Sequence, residues 1–225
     1  MPTILSFANQ KGGPGKSSAG INVASALADA GYRIHVLDAD NENATFRKWY
    51  KRRVATGRNG FHVEPITSAE FEAEIERLRA NQNLDLVVVD CPGNVPEMFN
   101  NAVAVSDAII CPIRPTFSDT DAARDMVKRL KRSMVLNPKI RLLLFVSQTV
   151  KSWGIAKSAQ STLRDDIFAG MDNVTVLATE IPISVAVASF NGTGLSIFEY
   201  DPKSQAARAY KKLTKEVIAC LSQTV

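Results

Sequence analysis

The sequence has no long hydrophobic run. Stretches such as 86–89 and 142–146 are the longest it offers, far short of the roughly 20 apolar residues a membrane-spanning helix needs. No basic-then-apolar segment opens the chain, so no secretory leader is expected. Cysteine is scarce: Cys91, Cys111 and Cys220 cannot all pair, and none sits in a Cys-x-x-Cys unit. Neither a disulfide framework nor a zinc site is expected on that spacing. There are only 2 histidines, and aromatic residues make up 7% of the chain. Internal repeats and low-complexity tracts are absent. Excess charge is small too, with 27 Lys and Arg against 23 Asp and Glu, a net +4. Such an excess has meaning for a nucleic-acid partner only where it clusters. These absences point to a reduced, cytoplasmic, globular protein.

What is present is enough apolar material for a core: 45% of 225 residues, within the range of one large domain spanning 1–225. Short runs rich in β-branched residues predict strands at 3–8, 33–38, 61–64, 84–90, 108–112, 141–147 and 174–178. The runs at 86–89 and 142–146 are apolar on both strand faces, as in a parallel sheet covered by helices on both sides. Helices are expected between them, at 17–30, 44–53, 68–81, 120–136 and 203–222. Gly31 stops the first, and Ser118 with Asp121 has the spacing of a capping box for the fourth. Alternation of this kind predicts an α/β fold, a single doubly wound, mostly parallel sheet flanked by helices.

The most informative segment follows the first strand: Ala8-Asn9-Gln10-Lys11-Gly12-Gly13-Pro14-Gly15-Lys16-Ser17-Ser18. Its glycines let the backbone turn N–H groups toward anionic oxygens, and the following helix adds its positive N-terminal end. Lys16 is placed to reach β- and γ-phosphates, and the Ser17 hydroxyl to bind Mg²⁺. Gly12, Gly13, Pro14, Gly15, Lys16, Ser17 and Ser18 are the expected phosphate-binding set. Pro14 removes one donor from it. The ordinary GxxxxGK[ST] pattern would have glycine where Gln10 stands, and a second lysine, Lys11, follows instead.

That pattern resembles the deviant Walker A motif, KGGxxK[ST], of the ParA/MinD family of P-loop ATPases. The resemblance continues along most of the chain. Residues 34–40, with Asp38-Ala39-Asp40, resemble the family's second strand and DxD element; 84–92, ending Asp90-Cys91-Pro92, resemble its Walker B strand; Tyr200-Asp201-Pro202 resembles the YDP segment before the last helix. The early position of the loop is that of the small ParA-type partitioning ATPases.

The resemblance implies ATP and Mg²⁺ as cofactors. It assigns Lys11 to the nucleotide of a second subunit, Asp40 to the attacking water, and Asp38 and Asp90 with Ser17 to the metal. Gln148 and Pro182 are the nearest matches to the adenine-contacting positions, with a core or turn role as the alternative for each. The family usually continues DxDPQ, whereas Asn41 and Glu42 follow Asp40 here, which puts the switch geometry in question.

Basic residues cluster in three places. Residues 43–58 hold six cations and no acid; 124–141 hold seven against Asp125; the last helix carries Lys203, Arg208, Lys211, Lys212 and Lys215 against Glu216. A charge run is by default a solvated helix face. ParA-type ATPases, however, bind DNA without sequence preference as ATP dimers, through phosphate contacts. The last helix is the expected DNA-binding element, with Arg164 a secondary candidate.

The function so implied is a nucleoid-associated partitioning ATPase. ATP drives a homodimer onto double-stranded DNA, and a ParB-like or other cargo-bound activator triggers hydrolysis and release. Two alternatives belong to the same family: a MinD-like membrane-cycling protein, which would need an amphipathic segment after the domain, and a conjugative DNA-transfer accessory ATPase. A metabolic P-loop enzyme would need a substrate pocket for which no residues stand out, and stable membrane association is not expected. His35 and His62 read as packed or edge residues rather than ligands, and Cys91 as buried.

Overall fold

In the computed structural model every strand runs parallel to its neighbours. The structure describes residues 1–9, 11–93, 95–150 and 154–222. Seven strands, β1 (Thr3–Phe7), β2 (Ile34–Asp38), β3 (His62–Pro65), β4 (Leu86–Asp90), β5 (Ala108–Ile113), β6 (Arg141–Thr149) and β7 (Val174–Pro182), form one sheet in the order β3-β2-β4-β1-β5-β6-β7. β4 and β5 are buried along their whole length, which is why they read as continuous apolar runs.

Side-chain alternation splits the core into two layers. Val87 and Val89 of β4 face one, Leu86 and Val88 the other. The first layer is closed by α3 (Phe71–Arg79), α4 (Pro96–Val105), α5 (Phe117–Ser133), α6 (Ile155–Ser161) and a π-helical turn (Thr162–Ile167). The second is closed by α1 (Lys16–Asp29), α2 (Thr45–Ala55), α7 (Val185–Ser189), a 3-10 turn (Phe190–Gly192), α8 (Ile197–Tyr200) and α9 (Gln205–Ser222).

All seven expected strands are present, as are the five expected helices, with ends shifted by a few residues. α5 starts three residues earlier than expected, because its cap is not Ser118 with Asp121. Thr116 and Asp119 close the turn: the Asp119 N–H donates to Thr116 Oγ1 at 3.2 Å, and that hydroxyl donates to the Asp119 carboxylate. The pattern is the expected one, Ser/Thr then Asp three residues on, two positions earlier. α4, α6, α7 and α8 were not anticipated. α4 does carry a start signal in Pro96 at its first turn. α8 closes with a full capping box between Ser196 and Glu199. No helix among the described residues is long and apolar enough to cross a membrane.

Candidate functional site

The pairing register sets two carboxylates level with each other. Asp38, at the end of β2, pairs with Asp90, at the end of β4, and Asp90 also pairs with Phe7 at the end of β1. The loop that carries Lys11 and Lys16 leaves the sheet immediately after β1. Carboxyl ends of adjacent strands in an open α/β sheet, where the winding direction changes, are the usual place for a ligand.

Asp90 is fully buried, and neither of its carboxylate oxygens meets a donor in good geometry. Burial pushes its pKa up to about 8; the Ser17 hydroxyl lies close enough to oppose that rise, Asp38 reinforces it, and Lys16 opposes it. Asp38 is equally buried but held: it accepts from the Arg47 backbone N–H at 2.9 Å, the Arg47 Nε at 3.4 Å and the Asp40 N–H at 3.1 Å. Burial raises its pKa too, against those bonds. Asp40 is turned toward its own loop, accepting from the Asn43 N–H at 3.0 Å and the Asn43 amide at 3.0 and 3.2 Å. Asn43 thus occupies the carboxylate of the element whose family sequence differs here.

Above these groups lies an open cavity of about 520 Å³. Gly12, Gly13, Gly15, Lys16, Ser17 and Ser18 line one side, and Asp40, Glu42, Asn43, Thr45, Gly93 and Val95 the other. Asp38 and Asp90 lie beneath it rather than in its wall, and Ser17 spans the two levels. Gly13 (φ 83°) and Gly15 (φ 99°) hold left-handed backbone that other residues resist. Gly15 ends the loop without a side-chain cap for α1, and α1 has no acid in its first turn. Its first N–H groups therefore have no partner within the helix and face an anion-sized space. Lys16 is 7% exposed and donates to the Lys11 carbonyl at 3.2 Å. Gln10, where the ordinary motif has glycine, lies outside the described residues.

A second cavity of about 370 Å³ adjoins the loop at Gly13, Pro14 and Gly15 and is walled by Gln148, Pro182, Ile183 and Val187. Gln148 takes a left-handed φ of 57° and donates through Nε2 to the Gly13 carbonyl at 2.5 Å, and Ser147 donates to the Pro14 carbonyl at 2.8 Å. The two positions matched to base contact thus come together beside the loop.

Lys11 does not extend into solvent. Its Nζ donates to the carbonyl and the hydroxyl oxygen of Ser118, both at 2.6 Å, and lies 3.8 Å from Asp119. These groups form the first turn of α5 in the same chain.

The basic residues do not form one patch. Arg208, Lys211, Lys212 and Lys215 are exposed along α9, and Lys203 is exposed just before it. Arg164 is exposed on the π-helical turn, which packs on the opposite layer of the core from α9. The structure does not bring it together with the last helix.

Residues that sequence reasoning missed are Glu42, Asn43 and Thr45, Gly93 and Val95 on the cavity wall, and Asn191, which donates to Ser18 Oγ at 3.3 Å. Gly93 carried a signal: a Cβ there would lie 3.0 Å from the Gly12 Cα and N, so only glycine lets the loop after β4 touch the phosphate loop. Cys91 and Cys111 are buried as free thiols, and burial pushes both upward, Cys111 to about 12. They are not poised as nucleophiles.

The family model described as ATPase MipZ matches residues 3–131. The chain is 27% identical over 241 aligned positions to the chromosome-partitioning ATPase Soj of Thermus thermophilus, covering 96% of this chain and 95% of that one. It is 26% identical to the chromosome partitioning protein ParA of Caulobacter vibrioides, covering 96% and 94%. The septum site-determining protein MinD of Pyrococcus horikoshii, solved as a complex with Mg-ADP, superposes with a TM-score of 0.76 at 19% identity over the whole of both chains.

Proposed function

The chain belongs to the ATPase MipZ family, within the ParA/MinD group of ATPases, and we propose that it is a DNA-positioning ATPase whose Mg-ATP form pairs two copies on the DNA backbone. What chiefly supports the nucleotide chemistry is Asp90, a buried carboxylate without a donor, set beside a serine hydroxyl and below a two-lysine glycine loop. A carboxylate in that condition fits a hard divalent cation, which prefers oxygen ligands.

In this reading Ser17, Asp38 and Asp90 hold Mg²⁺, directly or through water. The cation held there would supply positive charge against the negative charge that develops on the transferred phosphoryl group. Gly12, Gly13 and Gly15 and the first turn of α1 donate N–H groups to the phosphates. Lys16 neutralises the terminal phosphate. Asp40 orients the attacking water once Asn43 yields its carboxylate. Gln148 and Pro182 flank the base. Lys11 serves the partner copy's nucleotide, and to do so it must leave Ser118.

DNA contact is assigned to α9 through Arg208, Lys211, Lys212 and Lys215, with Lys203 before it. Dimerisation doubles those contacts, so affinity for duplex DNA should rise sharply with ATP. Nucleoid association and a cargo-bound, ParB-like activator follow from the same cycle. The relatives named for chromosome partitioning support this branch over a membrane-cycling one.

The deciding experiment is DNA retention with ATP, with ADP and without nucleotide. Retention with ATP alone is expected. Equal retention in the three states overturns the proposal, and ATP-dependent pelleting with liposomes in place of DNA favours the membrane-cycling alternative.

A further inference from the structure

α2 and α9 carry the same exposed basic pattern. α2 buries Phe46, Trp49 and Arg53, which turns Lys48, Lys51 and Arg52 outward at i, i+3 and i+4. α9 buries Ala206, Tyr210, Leu213 and Val217, which turns Arg208, Lys211, Lys212 and Lys215 outward at i, i+3, i+4 and i+7. Both helices close the same layer of the core, one on each side of α1.

α8 joins them. Its Glu199 accepts from Arg53 of α2 at 2.8 Å, and the preceding Phe198 lies under the Lys211 ammonium of α9, 5.8 Å from the ring centre. Consecutive residues therefore touch the two helices. Arg52 also reaches back to the Asn191 carbonyl at 3.5 Å.

Little negative charge remains on this face to cancel the cations. α2 contains no acid. Glu199 is engaged by Arg53 and Arg58, and Glu216 by Lys212 and the Thr179 N–H. Lys48, Lys51, Arg52, Arg208, Lys211 and Lys215 have no acidic partner among the described residues. On the opposite layer Arg124 is paired with Asp166 and Lys128 with Asp125, whereas the exposed Lys131, Arg132 and Arg164 have no acidic partner among the described residues.

We propose that α2 and α9 form one phosphate-binding face for duplex DNA, with Lys48, Lys51 and Arg52 of α2 as its second half. Contacts of this kind need cations at the spacing of successive phosphates rather than a groove shaped to bases. α2 and α9 present such cations on the same layer, joined through α8, whereas Arg164 lies on the other layer. The proposal rests on the DNA-binding reading above.

The test measures affinity of the Mg-ATP-bound full chain for a random-sequence duplex across a range of salt. The wild type is compared with a Lys48→Ala/Lys51→Ala/Arg52→Ala variant and a Lys211→Ala/Lys212→Ala/Lys215→Ala variant. Each lost phosphate contact should flatten the slope of log affinity against log salt by about 1. Both triple variants should flatten it and weaken binding at least about tenfold. A charge-keeping variant, Lys48→Arg/Lys51→Arg/Arg52→Lys, should bind like the wild type, and thermal midpoints check that every variant is folded. A wild-type slope in the α2 variant, with loss only in the α9 variant, overturns this inference and leaves the proposed function standing. Absence of ATP-dependent DNA binding in the wild type overturns both, as does transfer of the same salt-sensitive binding to anionic vesicles.

Discussion

Lys11 is tied to Ser118 by two hydrogen bonds from one ammonium group, each 2.6 Å long. The lysine proposed to act across a dimer is therefore docked on its own α5, and pairing must exchange one set of acceptors for another. Lys11→Ala should leave nucleotide affinity near wild type while removing the ATP-induced dimer. Stimulated turnover should fall by about a thousandfold, the scale of a cation lost from a phosphoryl-transfer transition state. Light scattering with ATP, alongside turnover with DNA and activator, measures both. A variant that still hydrolyses ATP freely as a monomer would reassign Lys11 to loop packing.

Asp90 imposes a cost on the nucleotide-free fold. Its folded pKa of about 8 lies above the roughly 3.9 of an unfolded aspartate. Between those values the unfolded chain ionises and the folded one does not, so stability falls as pH rises from about 4 to about 8. Asp85 has the opposite sign. Arg33 holds it at about 2, so its contribution is present above about 4 and lost below. Asp90→Asn should stabilise the protein in chelator at pH 8.5 by about 1–3 kcal/mol and abolish Mg²⁺-dependent turnover. Urea titrations across pH check the first claim; an unchanged slope would mean that Asp90 has a donor in solution.

Gly93 allows the loop after β4 to lie on Gly12. A methyl group there would sit 3.0 Å from two Gly12 backbone atoms, so Gly93→Ala should push the phosphate loop aside. Nucleotide affinity should drop roughly tenfold, about 1.4 kcal/mol, with circular dichroism unchanged. Fluorescent-nucleotide titration provides the measurement.

Arg53 is 10% exposed in its side chain and has Glu199 as its counter-ion. Burial raises the Glu199 pKa, but the bonds from Arg53 and Ser196 outweigh it and the net shift is downward. Glu199→Gln should cost about 1–2 kcal/mol, limited by the third of Glu199 that faces water and screens the pair. Equilibrium unfolding is the check, and the loss should shrink in high salt.

The sheet was legible because buried parallel strands leave runs such as Val87-Val88-Val89 that no other element explains. The phosphate loop was legible because glycine, lysine and serine at fixed spacing have few other uses. The opposite wall of the cavity was not. Glu42, Asn43 and Thr45 are ordinary polar residues whose role comes from the path between β2 and α2. Arg164 stood as a secondary candidate beside α9 in the sequence, where charge is visible and layer is not. The α5 cap shows the same limit on a smaller scale: Thr116/Asp119 and Ser118/Asp121 both satisfy the spacing, and the exit of the chain from β5 selects the first.

Asp38 has two claims on it. The carboxylate proposed for the metal already accepts the Arg47 N–H in the first turn of α2, the helix that presents Lys48, Lys51 and Arg52. One acceptor thus serves both the catalytic centre and the mounting of an outer helix. Thermodynamic reciprocity then applies: if cation binding weakens or strengthens that N–H bond, any ligand gripping α2 must change cation affinity by the same factor. DNA bound on the outside would then bias the hydrolytic centre through a single backbone hydrogen bond, without touching the nucleotide.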